Sequence, residues 1–212
     1  MTVETTEGET ISISFDGQRC IHARRCVTGE PSVFRANVEG SWIDANGASA
    51  DEILRVAINC PSGAIRVRRK DAGADEAAPK VNKIMTRENG PLAINADMDI
   101  PGHGAMLRAT LCRCGLSGNK PFCDNSHIKG GFVATGEPQA KESALSLTEL
   151  VGKVSVQPQP NGPYMIVGRL EIESGTGHNV NRVEKAFLCR CGHSNNKPYC
   201  DGSHKAAGFE AP

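Results

Sequence analysis

Aromatic residues and long apolar runs are both scarce in this sequence of 212 residues. Aromatic side chains make up 4% of the chain, with a single tryptophan, Trp42, whereas glycine and proline number 23 and 12. Few large side chains are available for a core, so small, turn-rich units that need metal or disulfide support are expected. No window approaches the roughly 20 apolar residues of a membrane span, and we expect no membrane partner.

A surplus of charge of either sign is also missing. Lysine plus arginine and aspartate plus glutamate both count 24, which gives a net charge of zero. Nucleic-acid-binding proteins commonly carry a basic surplus, so we expect no nucleic-acid partner. The polar start MTVETTEGET is unlike a signal or transit peptide, and we predict a cytoplasmic protein.

Nine cysteines are the main candidates for the metal or disulfide support that small units need. An odd number cannot all form disulfides, and without a secretory segment we expect them to bind metal. They fall into three groups of three, which are Cys20, Cys26 and Cys60, then Cys112, Cys114 and Cys123, then Cys189, Cys191 and Cys200.

The second and third groups belong to a duplicated run. CRCGLSGNKPFCDNSH (112–127) and CRCGHSNNKPYCDGSH (189–204) are identical at 12 of 16 positions, including the cysteines and the closing histidine. An Asn-Gly-Pro sequence precedes each run, and it predicts a tight turn followed by a strand of alternating residues. The second copy has five more residues between this turn and its first cysteine, which we assign to the SGTGHN loop.

The remaining segments predict an α+β fold. ISISF and AIRVR alternate like strands, ADEILRVAI has the spacing of a helix, and Lys141 to Gly152 predicts a short helix that ends at the glycine. DAGADEAAPK has no periodicity and predicts a linker. The expected domains are a small unit at 1–70, a linker at 71–80, the first repeat at 81–135, a connecting segment at 136–152 and the second repeat at 153–212.

The pattern C-x-C-x8-C-x3-H suits a metal site. The first two cysteines lie on one turn, and the chain folds back so that the third cysteine and the histidine, about one helical turn apart, approach from the other side. Three thiolates and one imidazole suit either zinc or a [2Fe–2S] cluster. Zinc sites usually space their cysteines as x2 to x4 pairs, so the spacing favours iron.

Both runs resemble the CDGSH-type iron–sulfur domain of the mitoNEET family, whose pattern is C-x-C-x2-[ST]-x3-P-x-C-D-x-[ST]-H. The resemblance covers about half of the chain and implies two [2Fe–2S] clusters in β-rich domains. Members of the family pair two domains in a dimer, so we expect the repeats to pack as an intrachain pseudo-dimer and the chain to be a monomer. The implied metal ligands are Cys112, Cys114, Cys123 and His127 in the first copy, and Cys189, Cys191, Cys200 and His204 in the second.

Other positions of the motif are predicted to contact the cofactor. The lysines three residues before the third cysteine donate to the cluster or offset its charge, with a solvated surface as the alternative. The acid after that cysteine can accept backbone N–H bonds, and Asn125, which replaces the motif's glycine, tolerates positive φ. The predicted cofactor-binding residues are Lys120, Asp124, Ser126, Lys197, Asp201 and Ser203.

The histidine sets the expected behaviour of each cluster. A neutral imidazole in place of a thiolate removes one negative charge, which raises the potential above that of an all-cysteine centre. Imidazole also titrates, so acid can release it from iron.

The first three cysteines resemble those of the divergent single-cluster ferredoxins, through CIHARRC (20–26) and CPSGAI (60–65). Bacterial ferredoxins use C-x2-C-x2-C and a distant C-P, and here Ala23 occupies the middle position. The resemblance implies a ferredoxin-like fold with one cluster on Cys20, Cys26 and Cys60, either a [3Fe–4S] cluster or a [4Fe–4S] cluster completed by another ligand such as His22. Three simply buried cysteines are the structural alternative.

No Gly-rich phosphate loop, Ser/His/Asp series or carboxylate pair stands out, so we predict that the protein is not an enzyme. The first hypothesis is an electron-transfer protein with three clusters that serves redox partner proteins. The second is a carrier or redox/pH sensor that releases [2Fe–2S] to apo-acceptor proteins when the histidine is protonated. The third is a structural zinc protein.

Overall fold

The computed structural model describes residues 3–143 and 145–212 and divides the chain into two compact units. The first unit ends at Ala77 and the second begins at Ala78. This boundary lies inside the segment 71–80, which the sequence predicts to be a linker. Both repeats lie in the second unit, so the separate boundaries that we expect for them stay predictions.

The first unit is an antiparallel sheet with two helices. The strands predicted from ISISF and AIRVR and the helix predicted from ADEILRVAI are confirmed, whereas β1 and α1 had no sequence prediction. The strand order is β1-β2-β3. The elements are β1 (Glu4–Glu7), β2 (Ile11–Phe15), α1 (Arg25–Gly29), α2 (Ala50–Ile58) and β3 (Ile65–Arg69).

Helix α2 anchors the core of the first unit. Ile53 and Val56 recur at helical spacing and lie on its buried face, in the same core cluster as the isoleucines of β2. Ser49 caps the start of the helix, because its hydroxyl accepts a hydrogen bond from Glu52 N while the Glu52 carboxylate accepts one from Ser49 N. This anchoring fixes the segment that follows α2 and carries Cys60.

The second unit is a six-stranded sheet made of two similar halves. Each half has a short strand, a hairpin of two long strands and, after the duplicated run, a helix of one turn. The strands predicted after the two Asn-Gly-Pro turns are confirmed. The elements are β4 (Lys83–Thr86), β5 (Leu92–Ile100), β6 (Gly104–Leu111), α3 (Ser126–Lys129), β7 (Val154–Pro158), β8 (Tyr164–Glu173), β9 (Asn179–Leu188) and α4 (Ser203–Ala206).

The short strands join the two repeats. Strand β4 pairs antiparallel with the first half of β5 and parallel with the last part of β8. Strand β7 pairs antiparallel with the first half of β8 and parallel with β5 at Met98 and Asp99. The first long strand of each hairpin, β5 or β8, therefore has part of its edge covered by the other repeat, and a single core cluster draws on both repeats. Apolar burial, the dominant stabilising contribution, is shared between the repeats.

Two expectations about loops need correction. The five extra residues of the second repeat are expected in the loop between β8 and β9. That loop spans 174–178, whereas the loop between β5 and β6 spans 101–103, so it holds only two of the five extra residues. The other three lengthen the strands, because β8 and β9 have 10 residues each while β5 and β6 have 9 and 8. The added length forms further strand pairs.

The helix expected over Lys141 to Gly152 is reduced to a single 3-10 turn, Leu147–Glu149, although Gly152 does adopt a positive φ of 94°. The reason is that Lys141 N donates to Val180 O at 2.7 Å, so the chain pairs beside β9 instead of coiling. Ala144 in this span lies outside the described residues. None of the helices in the described part of the chain has both the length and the apolar character that crossing a bilayer requires.

Asn82 connects the repeats at the start of β4. Its side chain is buried, and Nδ2 donates to Gly152 O (2.9 Å) and Arg169 O (3.1 Å). Its Oδ1 accepts from Asp97 N at 3.2 Å. One amide thus satisfies backbone groups from both repeats, as buried polar groups require.

Replacing Asn82 by alanine is expected to lower the free energy of unfolding by about 1–3 kcal/mol, because three part-buried backbone groups lose their hydrogen-bond partner. Asn95 is exposed on β5, and Asn95→Ala is the matched control, with an expected change below about 0.5 kcal/mol. Urea unfolding of the metal-loaded protein, followed by circular dichroism, measures both. Equal effects of the two substitutions would contradict the role of Asn82.

Candidate metal centres

Each duplicated run is folded by an antiparallel crossing of the chain. Strand β6 ends just before Cys112, and Cys112 N donates to Pro121 O while Cys123 N donates to Thr110 O, both at 2.9 Å. The crossing lays the third cysteine beside the strand end that carries the first. The second run has the same pair of bonds, from Cys189 N to Pro198 O (2.7 Å) and from Cys200 N to Phe187 O (2.8 Å).

The four predicted ligands of the first run lie in two pairs. Cys112 Sγ is 3.7 Å from Cys114 Sγ, and Cys123 Sγ is 3.4 Å from His127 Nδ1. Helix α3 begins at Ser126, so Cys123 precedes the helix and does not share a helical turn with His127, as the spacing had suggested. The backbone turn before α3 brings the two side chains together instead.

The second run has the same arrangement. Cys189 Sγ is 3.9 Å from Cys191 Sγ, and Cys200 Sγ is 3.4 Å from His204 Nδ1. Across residues 3–143 and 145–212, no group of three or more His, Cys, Asp or Glu side chains is arranged to hold one metal ion. The close contacts in each run join the first cysteine to the second and the third cysteine to the histidine.

Backbone N–H groups point at one sulfur of each pair. In the first run Leu116 N donates to Cys114 Sγ and Asn125 N to Cys123 Sγ, each at 3.4 Å. Such donors favour the thiolate form, which is the form that binds metal. The same contacts at 3.4 Å recur in the second run, from His193 N to Cys191 Sγ and from Gly202 N to Cys200 Sγ.

The turn before each helix requires a left-handed backbone. Gly202 has a φ of 90° and Asn125 a φ of 70°. The expectation that asparagine can replace the glycine of the motif is confirmed, since asparagine enters this region more readily than most residues.

Repeated serine and aspartate residues fix the shape of the loop. Ser117 Oγ donates to Phe122 O (2.7 Å) and accepts from Asn119 N (3.0 Å). Asp124 accepts from Gly118 N (2.8 Å) and Ser126 N (3.0 Å). The second run has the equivalent bonds. Ser194 Oγ donates to Tyr199 O (2.6 Å) and accepts from Asn196 N (3.0 Å). Asp201 accepts from Asn195 N (2.8 Å) and Ser203 N (3.0 Å).

The lysines and serines that are predicted to contact the cofactor form hydrogen bonds with other groups of the loop. Lys120 Nζ donates to Ser117 O at 2.6 Å, and Lys197 Nζ bonds Ser194 O in the same way. Both lysines are half-buried against the loop. Ser203 Oγ donates to Asp201 at 2.6 Å. These residues support the loop that carries the metal donors. Their direct binding to the cofactor stays a prediction for all six residues, which are Lys120, Asp124, Ser126, Lys197, Asp201 and Ser203.

The arginine inside each C-x-C turn is a structural residue that the sequence argument missed. Arg113 is 1% exposed and donates to the backbone carbonyls of Gly90 (2.8 Å) and Thr135 (3.0 Å). Arg190, also 1% exposed, donates to Gln159 O (3.2 Å) and Pro212 O (2.7 Å). Each buried cation joins the turn before the hairpin to the segment after the helix. Identity at this position in both copies was the available signal.

The thiols of the first run differ in their tendency to ionise. A hydrogen bond with the Cys114 thiol lowers the pKa of Cys112 to about 6, and the same bond raises the pKa of Cys114. Burial raises the pKa of Cys123 to about 11 and lowers the pKa of His127. Without metal, the Cys112 thiol therefore loses its proton more readily than the other two thiols, and burial favours the neutral form of the imidazole. Binding metal must displace protons from the other two thiols.

The three amino-terminal cysteines line one cavity of about 690 Å³ in the first unit. Burial raises the pKa of both Cys20 and Cys26. Cys60 Sγ lies 3.6 Å from Ser62 Oγ, beside the same space. The structure thus brings together residues that are up to 40 positions apart in the sequence. If the three cysteines were only buried structural residues, they would not need to line the same cavity. Their common position at one cavity therefore favours a cluster site.

The segment between Cys20 and Cys26 also lines this cavity. His22 and Ala23 contribute to its wall, and His22 N donates to Cys20 Sγ at 3.4 Å. The wall includes Arg24, Arg25 and His22 and, among the described residues that line it, no acidic side chain. Basic groups of this kind offset the negative charge that thiolates and a cluster bring.

Comparison with known proteins agrees with these geometries. The family described as "Iron-binding zinc finger CDGSH type" matches residues 88–128 and 161–205, and the family described as "Divergent 4Fe-4S mono-cluster" matches residues 6–70. The uncharacterized protein YjdI of Escherichia coli strain K12 is 32% identical over 63 residues, which is 30% of this chain and 82% of YjdI. YjdI of Escherichia coli O157:H7 matches to the same extent.

The fold and the sites therefore define an iron–sulfur-binding protein. The chain belongs to the CDGSH iron-binding family through its two repeats, with a divergent 4Fe-4S mono-cluster domain at its amino-terminal end. The residues present fit such cofactors, because the amino-terminal site offers three thiols to one cavity and each duplicated run offers two close pairs of donors. Thiolates are the usual ligands of iron–sulfur clusters.

Tyr164 makes the first site different from the second. Its hydroxyl belongs to the second repeat, lies 2.9 Å from both Cys112 O and Pro121 O, and donates to this pair of carbonyls in the first run. The ring is fully buried, and burial raises the pKa of Tyr164, so the donor proton is retained. Leu92 occupies the equivalent position of the first repeat and has no hydroxyl to donate to the second run.

Replacing Tyr164 by phenylalanine is expected to weaken the first site alone, because Cys112 O loses a buried donor at a cost of about 1–3 kcal/mol. Loss of visible absorbance on heating should then gain an earlier phase. Tyr199→Phe is the matched control, since in the part of the chain that the structure describes the Tyr199 hydroxyl donates to no carbonyl of a cluster loop. Heating curves of the Tyr164→Phe variant that match the wild-type curves would contradict this role.

Proposed function

We propose that this protein transfers electrons and carries two Cys3His [2Fe–2S] clusters and one amino-terminal cubane-type cluster. The observation that carries the proposal is the grouping of donors in twos, with separations of 3.4–3.9 Å inside each pair. A zinc ion gathers its four ligands around one centre, whereas a [2Fe–2S] cluster takes two ligands at each of two irons. This geometry accommodates a two-iron cluster, and the C-x-C-x8-C spacing, which differs from the x2 to x4 cysteine pairs usual for zinc, favours the cluster over a structural zinc site.

Each [2Fe–2S] cluster would have one iron on a pair of thiolates and the other on a thiolate and an imidazole. When bound, such a cluster accepts and returns one electron. Cys112 and Cys189 are each 1% exposed, whereas His127 and His204 are only half-buried. The protein thus encloses the all-cysteine side and leaves the histidine side nearer to solvent, where redox partner proteins would approach. We propose no enzymatic reaction.

The repeats would act as the two halves of an intrachain pseudo-dimer. The reciprocal pairing of β4 with β8 and of β7 with β5 supports this arrangement. A chain built in this way needs no second copy, so we propose a monomer in solution, in a reducing compartment such as the cytoplasm. An obligate dimer in sedimentation experiments would overturn the monomer.

A carrier role is the second candidate, and the exposure of the histidine side favours it. The non-thiolate ligand of each cluster is also among the least enclosed, so release to an apo-acceptor protein would begin there. Mixing the loaded protein with an apo-ferredoxin separates the two roles. Rapid appearance of [2Fe–2S] absorbance in the acceptor would favour the carrier, and retention of the cluster through repeated redox cycles would favour electron transfer.

Replacing His204 by cysteine tests the ligand assignment and the redox role together. A fourth thiolate adds negative charge, so the potential of one cluster should fall by on the order of 100 mV or more, while the cluster held by His127 keeps its potential. Voltammetry of the purified protein measures both waves, and visible absorbance with iron and sulfide analysis excludes a colourless zinc site. Two unchanged potentials would contradict the assignment.

The first unit would hold a [3Fe–4S] or [4Fe–4S] cluster on Cys20, Cys26 and Cys60. Ala23 lines the same cavity at the position where ferredoxins carry their middle cysteine. Replacing Ala23 by cysteine should therefore raise the proportion of four-iron clusters after anaerobic reconstitution, measured by electron paramagnetic resonance (EPR) with and without dithionite. His22→Ala is the companion variant, and a fall in four-iron clusters in that variant would assign the fourth ligand to His22. An Ala23→Cys protein with unchanged EPR signals would contradict this placement of the cluster.

A further inference from the structure

The two C-x-C-G turns touch each other through backbone atoms alone. A side-chain carbon placed on Gly115 would lie 2.5 Å from Cys191 O, and one placed on Gly192 would lie 2.5 Å from Cys114 O. Both glycines also have positive φ values, 83° and 86°. Only glycine fits such positions without strain, so the duplicated sequence keeps glycine where the two turns meet.

This contact lies between two predicted ligands. Gly115 is bonded to Cys114 and Gly192 to Cys191, so the route from one ligand sulfur to the other is covalent except for one van der Waals contact. Cys114 and Cys191 are 8% and 5% exposed, so both ends of the route are buried, and Gly115 and Gly192 between them are half-buried. Electron tunnelling decays steeply with distance and is faster through bonded, packed atoms than across solvent.

We infer that the two [2Fe–2S] clusters of one chain exchange electrons directly across the contact between the Gly115 and Gly192 turns. The inference rests on the proposed function, since both runs must hold redox-active clusters. In the exchange, the reduced cluster gives one electron to the oxidised cluster, so the first is oxidised and the second reduced. No bond forms or breaks, and the electron is first supplied by an external reductant. An electron taken up at either cluster can therefore leave from the other.

The inference is tested by comparing EPR spectra of the full chain. Cys123→Ala and Cys200→Ala remove one cluster each, and the double variant removes both while the amino-terminal cluster stays in every sample. All proteins are fully reduced with dithionite. The two single-variant spectra are added, and the double-variant spectrum is subtracted once because the sum counts the amino-terminal cluster twice. The result is compared with the wild-type spectrum. Coupled clusters should give extra splitting or broadening in the wild type. An additive wild-type spectrum would overturn the inference.

The role of the glycine contact has its own matched variants. Gly115→Ala and Gly192→Ala should reduce the extra splitting, because the added carbon forces the turns apart. Gly102 and Gly177 have similar φ values, 79° and 89°, with nothing within 4 Å of an added carbon. Gly102→Ala and Gly177→Ala therefore impose the same backbone strain without the steric clash and should keep the splitting. Equal loss in all four variants would assign the effect to strain and overturn the role of the contact.

Failure of the inference differs from failure of the proposed function. Preparations without iron, sulfide or reversible one-electron waves would refute the proposed function itself. Preparations with two reversible waves but additive spectra would refute only the exchange between clusters. Stepwise reduction of the wild-type protein gives the same distinction if a variant fails to fold, because coupling should change the line shape only when the second cluster is reduced.

Discussion

The antiparallel crossing between a strand end and the returning loop is the constraint on which each cluster site depends. Two backbone hydrogen bonds, made by Cys112 and Cys123 in the first run, hold the crossing in place, and the ligand pairs follow from it. The side chains of Ser117 and Asp124 then saturate N–H groups of the loop, which otherwise has little regular structure. A loop whose polar groups are satisfied internally can bury thiols without leaving unpaired donors.

Metal binding and folding are coupled in such an arrangement. Burial raises the pKa of Cys123, so the apo-protein keeps a buried neutral thiol where the loaded protein has a thiolate. The second unit has a shared core but few helices, and its largest fully buried side chains include two cations, Arg113 and Arg190. Both bind backbone carbonyls. A core of this kind has limited apolar area to bury, so ligand bonds are expected to contribute substantially to stability.

The sequence predicted the ligands and most strands because both are local signals. Cysteine spacing and the alternation after each Asn-Gly-Pro turn are visible within about 10 to 16 residues. The interleaving of β4 and β7 between the long strands depends on pairings 56 to 88 residues apart, which no local pattern encodes. The bond from Tyr164 to Cys112 could not be predicted for the same reason, since it joins different repeats. Arg113 and Gly115 were visible as repeated identities, but their carbonyl and backbone contacts required the fold.

Two repeats in one chain allow differences that a symmetric homodimer cannot have, because its two subunits present identical surfaces. Around the first site Leu116 and Ile128 are 52% and 70% exposed, whereas the equivalent positions of the second site hold His193 and Lys205. Inside the unit, only the first run receives the Tyr164 hydroxyl. The ligand sets are identical while the outer surfaces and the inner hydrogen bonds differ. Duplication has therefore kept the chemistry of the ligands fixed and left the surroundings free to give the two proposed cluster sites different stabilities and different exposed faces.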